Sequence, residues 1–303
     1  MSRVLVTGGS GQLGQSLAQL SSPKVGELSS EPPAPQLWTF LSREELDLAQ
    51  TDALAGQLES LLRAAAQSPL GRYTHMIHTA AYTQVDAAET NEPLAFTINE
   101  TATKIIAKAC AAHDICLIYI STDFVFSGHR DAPWRPTDPI APQGVYARSK
   151  AAGEAAVAAF CPAHYTVRTS WLYSPFGHNF VKTMLRLAEA HSVVKVVSDQ
   201  MGSPTSALDL AVALRSLLLH AEVPFGTHHF SNSGATSWAG FAREIFKQQQ
   251  LKTQVRDIDT AAFGAAAPRP QYSVLEKSLP FPARSWPDAL QAVLAQLPTP
   301  LSN

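Results

Sequence analysis

The chain has 303 residues, 46% of them hydrophobic, with 23 basic and 25 acidic side chains for a formal net charge of -2. That length buries a large core in one big domain or two lobes. The near balance of charge, with a pI of about 6.5, offers no basic face for nucleic acid or an anionic membrane, and no apolar run approaches the ~20 residues of a membrane span.

Arg3 to Thr7 is a short β-branched and apolar run that suits a buried parallel strand, expected at Val4–Thr7. Gly8, Gly11 and Gly14 follow at three-residue spacing. The first suits a tight turn, the second a close approach to a pyrophosphate, the third close packing of helix on strand. A helix over Gln12–Ser21 then points its N-terminus at the phosphates. Residues 22–36, rich in Pro and Ser, read as a surface loop that lengthens this first unit. Strands at Leu37–Leu41, His75–His78, Cys116–Ser121 and Tyr165–Thr169 alternate with helices at Thr51–Ala66, Pro93–Ala112 and Ala147–Phe160. Such alternation predicts a Rossmann-type α/β fold, a doubly wound parallel sheet covered on both faces.

After Trp171 the alternation fades. Val193–Ser198 and Thr227–Phe230 read as strands, and Ser206–His220, Trp238–Gln250 and Pro287–Gln296 as helices. Residues 1–170 are expected to form the dinucleotide-binding domain. Residues 171–303 are expected to form mainly a smaller substrate lobe, with segments returning to the core. It would lie over the carboxyl ends of the strands, where open α/β sheets bind ligands.

Tyr146 and Lys150 are four apart and share one face of a helix. An ammonium near a phenol favours the phenolate, so the tyrosine would release its proton more readily than near its free value of ~10. Below a glycine-rich turn, the pair reads as the proton donor of a nicotinamide-dependent oxidoreductase. The second strand ends in Ser42-Arg43 where NAD-selective folds carry an acid. A hydroxyl and a guanidinium suit a 2′-phosphate, so NADPH is expected to be preferred, with NADH also accepted. Glu44 and Glu45 follow at once and would turn away or pair with Arg43. The ten histidines suggest no metal site, since adjacent His228 and His229 point to opposite faces of a strand. Cys110, Cys116 and Cys161 lack metal spacing and read as reduced thiols of a cytoplasmic protein. Met1-Ser2-Arg3 leads straight into the first strand, so no signal peptide is expected.

A set of segments in fixed order resembles the dTDP-4-dehydrorhamnose reductase family of the extended short-chain dehydrogenase/reductases. They are residues 6–14, 78–89 (from His78-Thr79-Ala80-Ala81), 121–128 (from Ser121-Thr122-Asp123-Phe124), 146–150, 168–173, 199–205 and Arg269-Pro270. The resemblance runs nearly end to end. It implies reduction of the 4-keto group of a nucleotide-linked deoxysugar, most directly dTDP-4-dehydro-L-rhamnose to dTDP-L-rhamnose. Tyr146 would be the general acid, Lys150 would hold the nicotinamide ribose, and Thr122 would hydrogen-bond the same oxygen. Phe124 stands where sugar 4,6-dehydratases carry an acid, and it cannot do that work.

The resemblance further implies cofactor contacts from Gly8, Gly11, Gln12, Leu13, Ser42, Arg43, Asp47, Leu48, Ala80, Ala81, Tyr82 and Asn99. Substrate contacts would come from Thr83, Val85, Asp123, Trp171, Asp199, Gln200 and Arg269. Some relatives carry an acidic metal cluster at a dimer interface, which has no clear counterpart here, so monomer and homodimer both stay open. Two other readings also remain: a regulatory subunit like that of S-adenosylmethionine synthetase, and a reductase or epimerase acting on another nucleotide keto sugar.

Overall fold

The structure is a computed structural model that describes residues 2–21 and 36–297. The expected surface loop at residues 22–36 lies outside the described residues, apart from Gln36. The chain begins with β1 (Ser2–Thr7), α1 (Gln12–Ser21), β2 (Gln36–Leu41), α2 (Thr51–Gln67) and β3 (His75–His78). Two short helices, α3 (Val85–Ala88) and α4 (Glu92–Phe96), lead through a π-helical turn at Thr97–Ala102 into α5 (Thr103–Ala112). Next come β4 (Cys116–Thr122), a 3-10 turn at Asp123–Val125, α6 (Gly144–Phe160) and β5 (His164–Thr169). The one helix expected over Pro93–Ala112 is thus three pieces. The helix expected from Ala147 begins at Gly144, which places Tyr146 in its first turn.

Beyond β5 the chain forms β6 (Leu172–Tyr173), α7 (Phe180–Ala190), β7 (Val193–Val197), β8 (Met201–Gly202), β9 (Thr205–Ser206) and α8 (Ala207–Leu217). It continues with β10 (Gly226–His229), β11 (Thr236–Ser237), α9 (Trp238–Gln248), β12 (Gln254–Ile258), α10 (Thr260–Phe263) and α11 (Trp286–Leu294). Strand β12 was not expected. It pairs in parallel with β7 as a separate two-stranded ribbon.

Six strands form the main parallel sheet, in the order β10-β5-β4-β3-β1-β2. Chain order reverses between β1 and β3, and open sheets bind ligands in the crevice at such a switch point. Val4, Leu5 and Val6 are wholly buried because helices cover both faces of the sheet. On one face α1 and α8 pack together, burying Leu13 and Leu17 against Leu210 and Leu214. On the other, Leu54, Leu58 and Leu62 repeat every four residues along α2 and meet Ile106 and Cys110 of α5. Each such leucine is worth roughly 1.5–3 kcal/mol in burial. A third core joins α7, α9, α11 and β7 through Phe241, Ile245 and Leu290. This last core carries the aromatic wall of the cleft described next.

Candidate active site

A cleft of about 730 Å³ runs along the carboxyl ends of the strands, within the usual range for small-molecule sites. Gly8, Gly11, Gln12 and Leu13 line one part of it. Gly8 has φ of +72°, and a Cβ there would lie 2.8 Å from the Ala80 nitrogen. Only glycine lets the turn lie this close to the loop after β3. The first amides of α1 have no intrahelical acceptor, so they and the helix dipole suit a pyrophosphate. Gln12 reaches across the cleft: its Oε1 accepts from the Ser174 hydroxyl and from Asn179 Nδ2, each at 3.0 Å. Asn179 also caps α7 by accepting from the Lys182 amide at 3.2 Å. Sequence reasoning missed Ser174 and Asn179; the cap position just before the helical run from Phe180 was the available signal.

Ser42, Arg43, Asp47 and Leu48 line the cleft beyond the end of β2. They lie in turns that precede α2. Buried Leu46 and Leu48 anchor this stretch. Glu45 accepts from the Ser42 amide at 2.8 Å. The ion pair of Arg43 is with Asp47, its Nε 3.5 Å from Oδ1, and its side chain is 73% exposed; its charge also helps hold the Glu44 carboxyl down, after hydrogen bonds to the Glu44 backbone and Ser42. Ala80 and Ala81 line the cleft beside the glycine turn.

Tyr82 and Asn99 do not line it. Asn99, 1% exposed, accepts from the Tyr82 amide at 2.8 Å and donates to the Tyr82 carbonyl at 3.1 Å and to Ser149 Oγ at 2.9 Å. Ser149 Oγ donates in turn to the Tyr146 carbonyl at 2.9 Å. Asn99 thus clamps the loop after β3 to the first turn of α6. It does so from the π-helical turn, a distortion that is frequent at functional sites.

Thr122, Asp123, Tyr146 and Lys150 meet on the cleft wall. Thr122 ends β4 and donates to Asp123 Oδ1 at 3.0 Å. Phe124 packs edge-on against Tyr146, ring centres 5.7 Å apart. Burial pushes the Tyr146 phenol up to about 12; the Thr122 hydrogen bond opposes this and the Asp123 charge adds to it. Burial pulls the Lys150 ammonium down to about 7, against an upward pull from Glu154. Lys150 donates to the Ile120 carbonyl at 2.8 Å and lies 4.0 Å from the centre of the Tyr119 ring. The phenol is thus raised where a lowering by Lys150 was expected: desolvation dominates, and Lys150 is not among the charges that act on it. Burial also lifts the Asp123 carboxyl to about 6.

Thr83, Val85 and Trp171 line the same cleft. Trp171 has φ of +46°, which costs a non-glycine residue energy and marks a constrained position. Its indole stacks on Trp238, also a lining residue and unforeseen as one. Asp199, Gln200 and Arg269 are not among the lining residues. Asp199 accepts from the Thr260 amide at 3.0 Å and hydroxyl at 2.8 Å. Gln200, 3% exposed, accepts from Trp238 Nε1 at 3.2 Å and so acts at one remove. Arg269 pairs with Asp86 at 2.6 Å and holds that carboxyl below the usual range. Among the described residues, no group of three or more His, Cys, Asp or Glu is placed to hold a metal ion. No helix among them is long and apolar enough to cross a membrane.

The switch-point cleft, the glycine turn and the pair of half-buried Tyr146 and buried Lys150 define a Rossmann-type oxidoreductase that uses a nicotinamide nucleotide. The chain belongs to the family described as RmlD substrate binding domain, whose model matches residues 2–298. It is 39% identical to the dTDP-4-dehydrorhamnose reductase of Mycobacterium tuberculosis (strain H37Rv) over 97% of this chain and 92% of that one. It is 38% identical to the dTDP-4-dehydrorhamnose reductase of Sinorhizobium fredii over 90% of this chain and 88% of that one. The crystal structure of dTDP-4-dehydrorhamnose reductase from Bacillus anthracis in complex with NADP superposes with a TM-score of 0.86, at 36% identity, over 98% of this chain and 100% of that one.

Proposed function

We propose that the protein reduces the 4-keto group of dTDP-4-dehydro-L-rhamnose to give dTDP-L-rhamnose, with NADPH as the preferred reductant. The observation that carries this reading is the meeting of Thr122, Tyr146 and Lys150 in one cleft with the glycine turn. Gly8, Gly11, Gln12 and Leu13 would hold the pyrophosphate, Arg43 and Ser42 the 2′-phosphate, and Lys150 the nicotinamide ribose. The cofactor, when bound, supplies the hydride that reaches the sugar carbonyl carbon.

The residues' part is to orient the carbonyl and satisfy the charge that develops on its oxygen. Thr122 donates a hydrogen bond to that oxygen, and Tyr146 delivers the proton. A phenol held near 12 is fully protonated at neutral pH, as an acid must be before it acts. Phe124 keeps water and a second acid away from it, which favours simple reduction over elimination. Trp171 and Trp238 form the apolar wall for the hexose. All three cysteines are free thiols, which supports work in the reducing cytoplasm.

The deciding assay is NADPH oxidation with freshly made dTDP-4-keto-6-deoxy-L-mannose. Turnover that is abolished without the keto sugar supports the reading. No turnover, by folded enzyme that binds NADPH, overturns it.

A further inference from the structure

The segment between β6 and α7 folds back onto the glycine turn. Gly177, with φ of +59°, sits so close that a Cβ there would lie 3.3 Å from Gln12 Cγ. Ser174 is wholly buried and Asn179 is 7% exposed. Two donors, Ser174 Oγ and Asn179 Nδ2, converge on Gln12 Oε1, each at 3.0 Å.

Backbone groups fix the sense of this contact. Asn179 Oδ1 accepts from the Lys182 amide at 3.2 Å, and Nδ2 donates to the Ser174 carbonyl at 2.9 Å. A backbone amide only donates and a carbonyl only accepts, so the Asn179 carboxamide has one allowed orientation. Gln12 must then present its oxygen to Asn179 and turn Nε2 the other way. Among the described residues, Gln12 Nε2 has no acceptor, and Gln12 lines the cleft with Gly8, Gly11 and Leu13. An amide nitrogen carried by the first turn of α1 suits a phosphate oxygen.

A tie that served α7 alone would not need Gln12. Asn179 already caps that helix, and its Nδ2 already has the Ser174 carbonyl. The extra contact decides which end of the Gln12 carboxamide faces the cleft. Without it either end can do so, and the oxygen end repels an anion. Asn179 also precedes Phe180, whose ring centre lies 4.6 Å from that of Trp238. The same short segment therefore joins the glycine turn to the aromatic wall.

We infer that Asn179, seconded by Ser174, is a positioning residue for the cofactor: it orients the Gln12 carboxamide so that Nε2 donates to the pyrophosphate of the nicotinamide nucleotide. The inference deepens the reading of Gly8, Gly11, Gln12 and Leu13 as the pyrophosphate site and rests on it. Asn179 acts through Gln12.

The test is equilibrium binding to the full chain. NADPH is followed by its fluorescence, and 2′-AMP, which has the adenosine and 2′-phosphate but no pyrophosphate, by calorimetry. Asn179→Ser and Asn179→Thr both keep a side chain that caps α7 and lose the donor to Gln12. Gln12→Ala removes the amide itself. Each variant is expected to bind NADPH about tenfold more weakly, the worth of one hydrogen bond to a charged group. Affinity for 2′-AMP should stay within about twofold, and Asn179→Ser should add less than about twofold when Gln12 is already Ala, because both act through one contact. Equal weakening of NADPH and 2′-AMP marks a purely structural tie and overturns the inference. So does unchanged NADPH affinity in both Asn179 variants, or a loss that adds in full in the double variant. None of these titrations contains the keto sugar. A protein that shows the expected pattern yet does not turn the keto sugar over loses the proposed reduction and keeps the Asn179–Gln12 tie.

Discussion

The indole of Trp171 lies flat on that of Trp238, ring centres 3.5 Å apart and planes 6° from parallel. Gly202 lies against the same indole, and a Cβ there would lie 2.4 Å from Trp171 Cε2. Trp171 is thus held between a partner ring and bare backbone, in a backbone conformation that few large residues adopt. Gln200 fixes the second ring through Trp238 Nε1. The wall is rigid before any ligand arrives, and ligand binding then costs less side-chain entropy.

Substitution at this wall is expected to separate sugar from cofactor. Trp171→Ala should lower kcat/KM for the keto sugar by at least ~10-fold, the worth of one well-placed apolar contact. NADPH affinity should change far less. Gly202→Ala should act in the same direction, because the added methyl displaces the indole. Steady-state kinetics and NADPH fluorescence titration decide this. A collapse in melting temperature with normal kinetics per folded molecule would assign Trp171 to the core.

Replacing the acid leaves the pocket's shape almost unchanged. Tyr146→Phe is expected to fold and to bind NADPH, with kcat reduced by ~10² or more, the usual contribution of positioned acid catalysis. Near-normal turnover in this variant sinks the proton-donor assignment.

Cofactor choice should reside at the end of β2. The Arg43 pair with Asp47 is exposed, so it is weak and easily exchanged for a phosphate. We expect a modest preference for NADPH over NADH that shrinks in Arg43→Ala. The ratio of kcat/KM for the two nucleotides, in both proteins, measures it. An unchanged ratio removes Arg43 from the site.

The buried Asp123 gives a pH prediction. Its carboxyl is lifted from 3.8 to about 6 by burial. An acid raised on folding opposes the fold in its charged form. The penalty is absent below pH ~4, grows between ~4 and ~6, and is complete above. Asp123→Asn should therefore raise stability at pH 7.5 by up to about 3 kcal/mol and give no gain near pH 3.5. Thermal melts at the two pH values test it. An equal gain at both would mean that the carboxyl is not the cause.

Much of the sheet was legible because buried parallel strands are continuous apolar runs bounded by turn residues. The glycine turn and the Tyr146/Lys150 helix also carry their chemistry in spacing. Other parts carry no periodic signal. Strands β6, β8, β9 and β11 are two residues each, too short for any alternation. Strand β12 is a half-exposed Gln-Val-Arg-Asp-Ile run defined by its partner β7. The break at Thr97–Ala102 replaces α-helical turns with a wider one and leaves the residue types helical. Gln200 was expected to contact the substrate; its hydrogen bond to Trp238 was not foreseen, because resemblance carries a residue's position and not its neighbours. The phenol of Tyr146 was misjudged for a similar reason: spacing discloses the sign of a nearby charge but not the depth of burial.

The sixth strand of the sheet comes late. β5 ends at Thr169, and its outer neighbour β10 begins only at Gly226. At ~5–20 residues per second, a ribosome takes several seconds to make the intervening stretch. Through that interval the edge of β5 offers unpaired backbone groups, and α1 lacks the cover of α8. Nascent chains are therefore most exposed to edge-to-edge association in this window. Slowed translation between the codons for residues 170 and 225, or a stop there, should lower soluble yield more than the same change placed after residue 230.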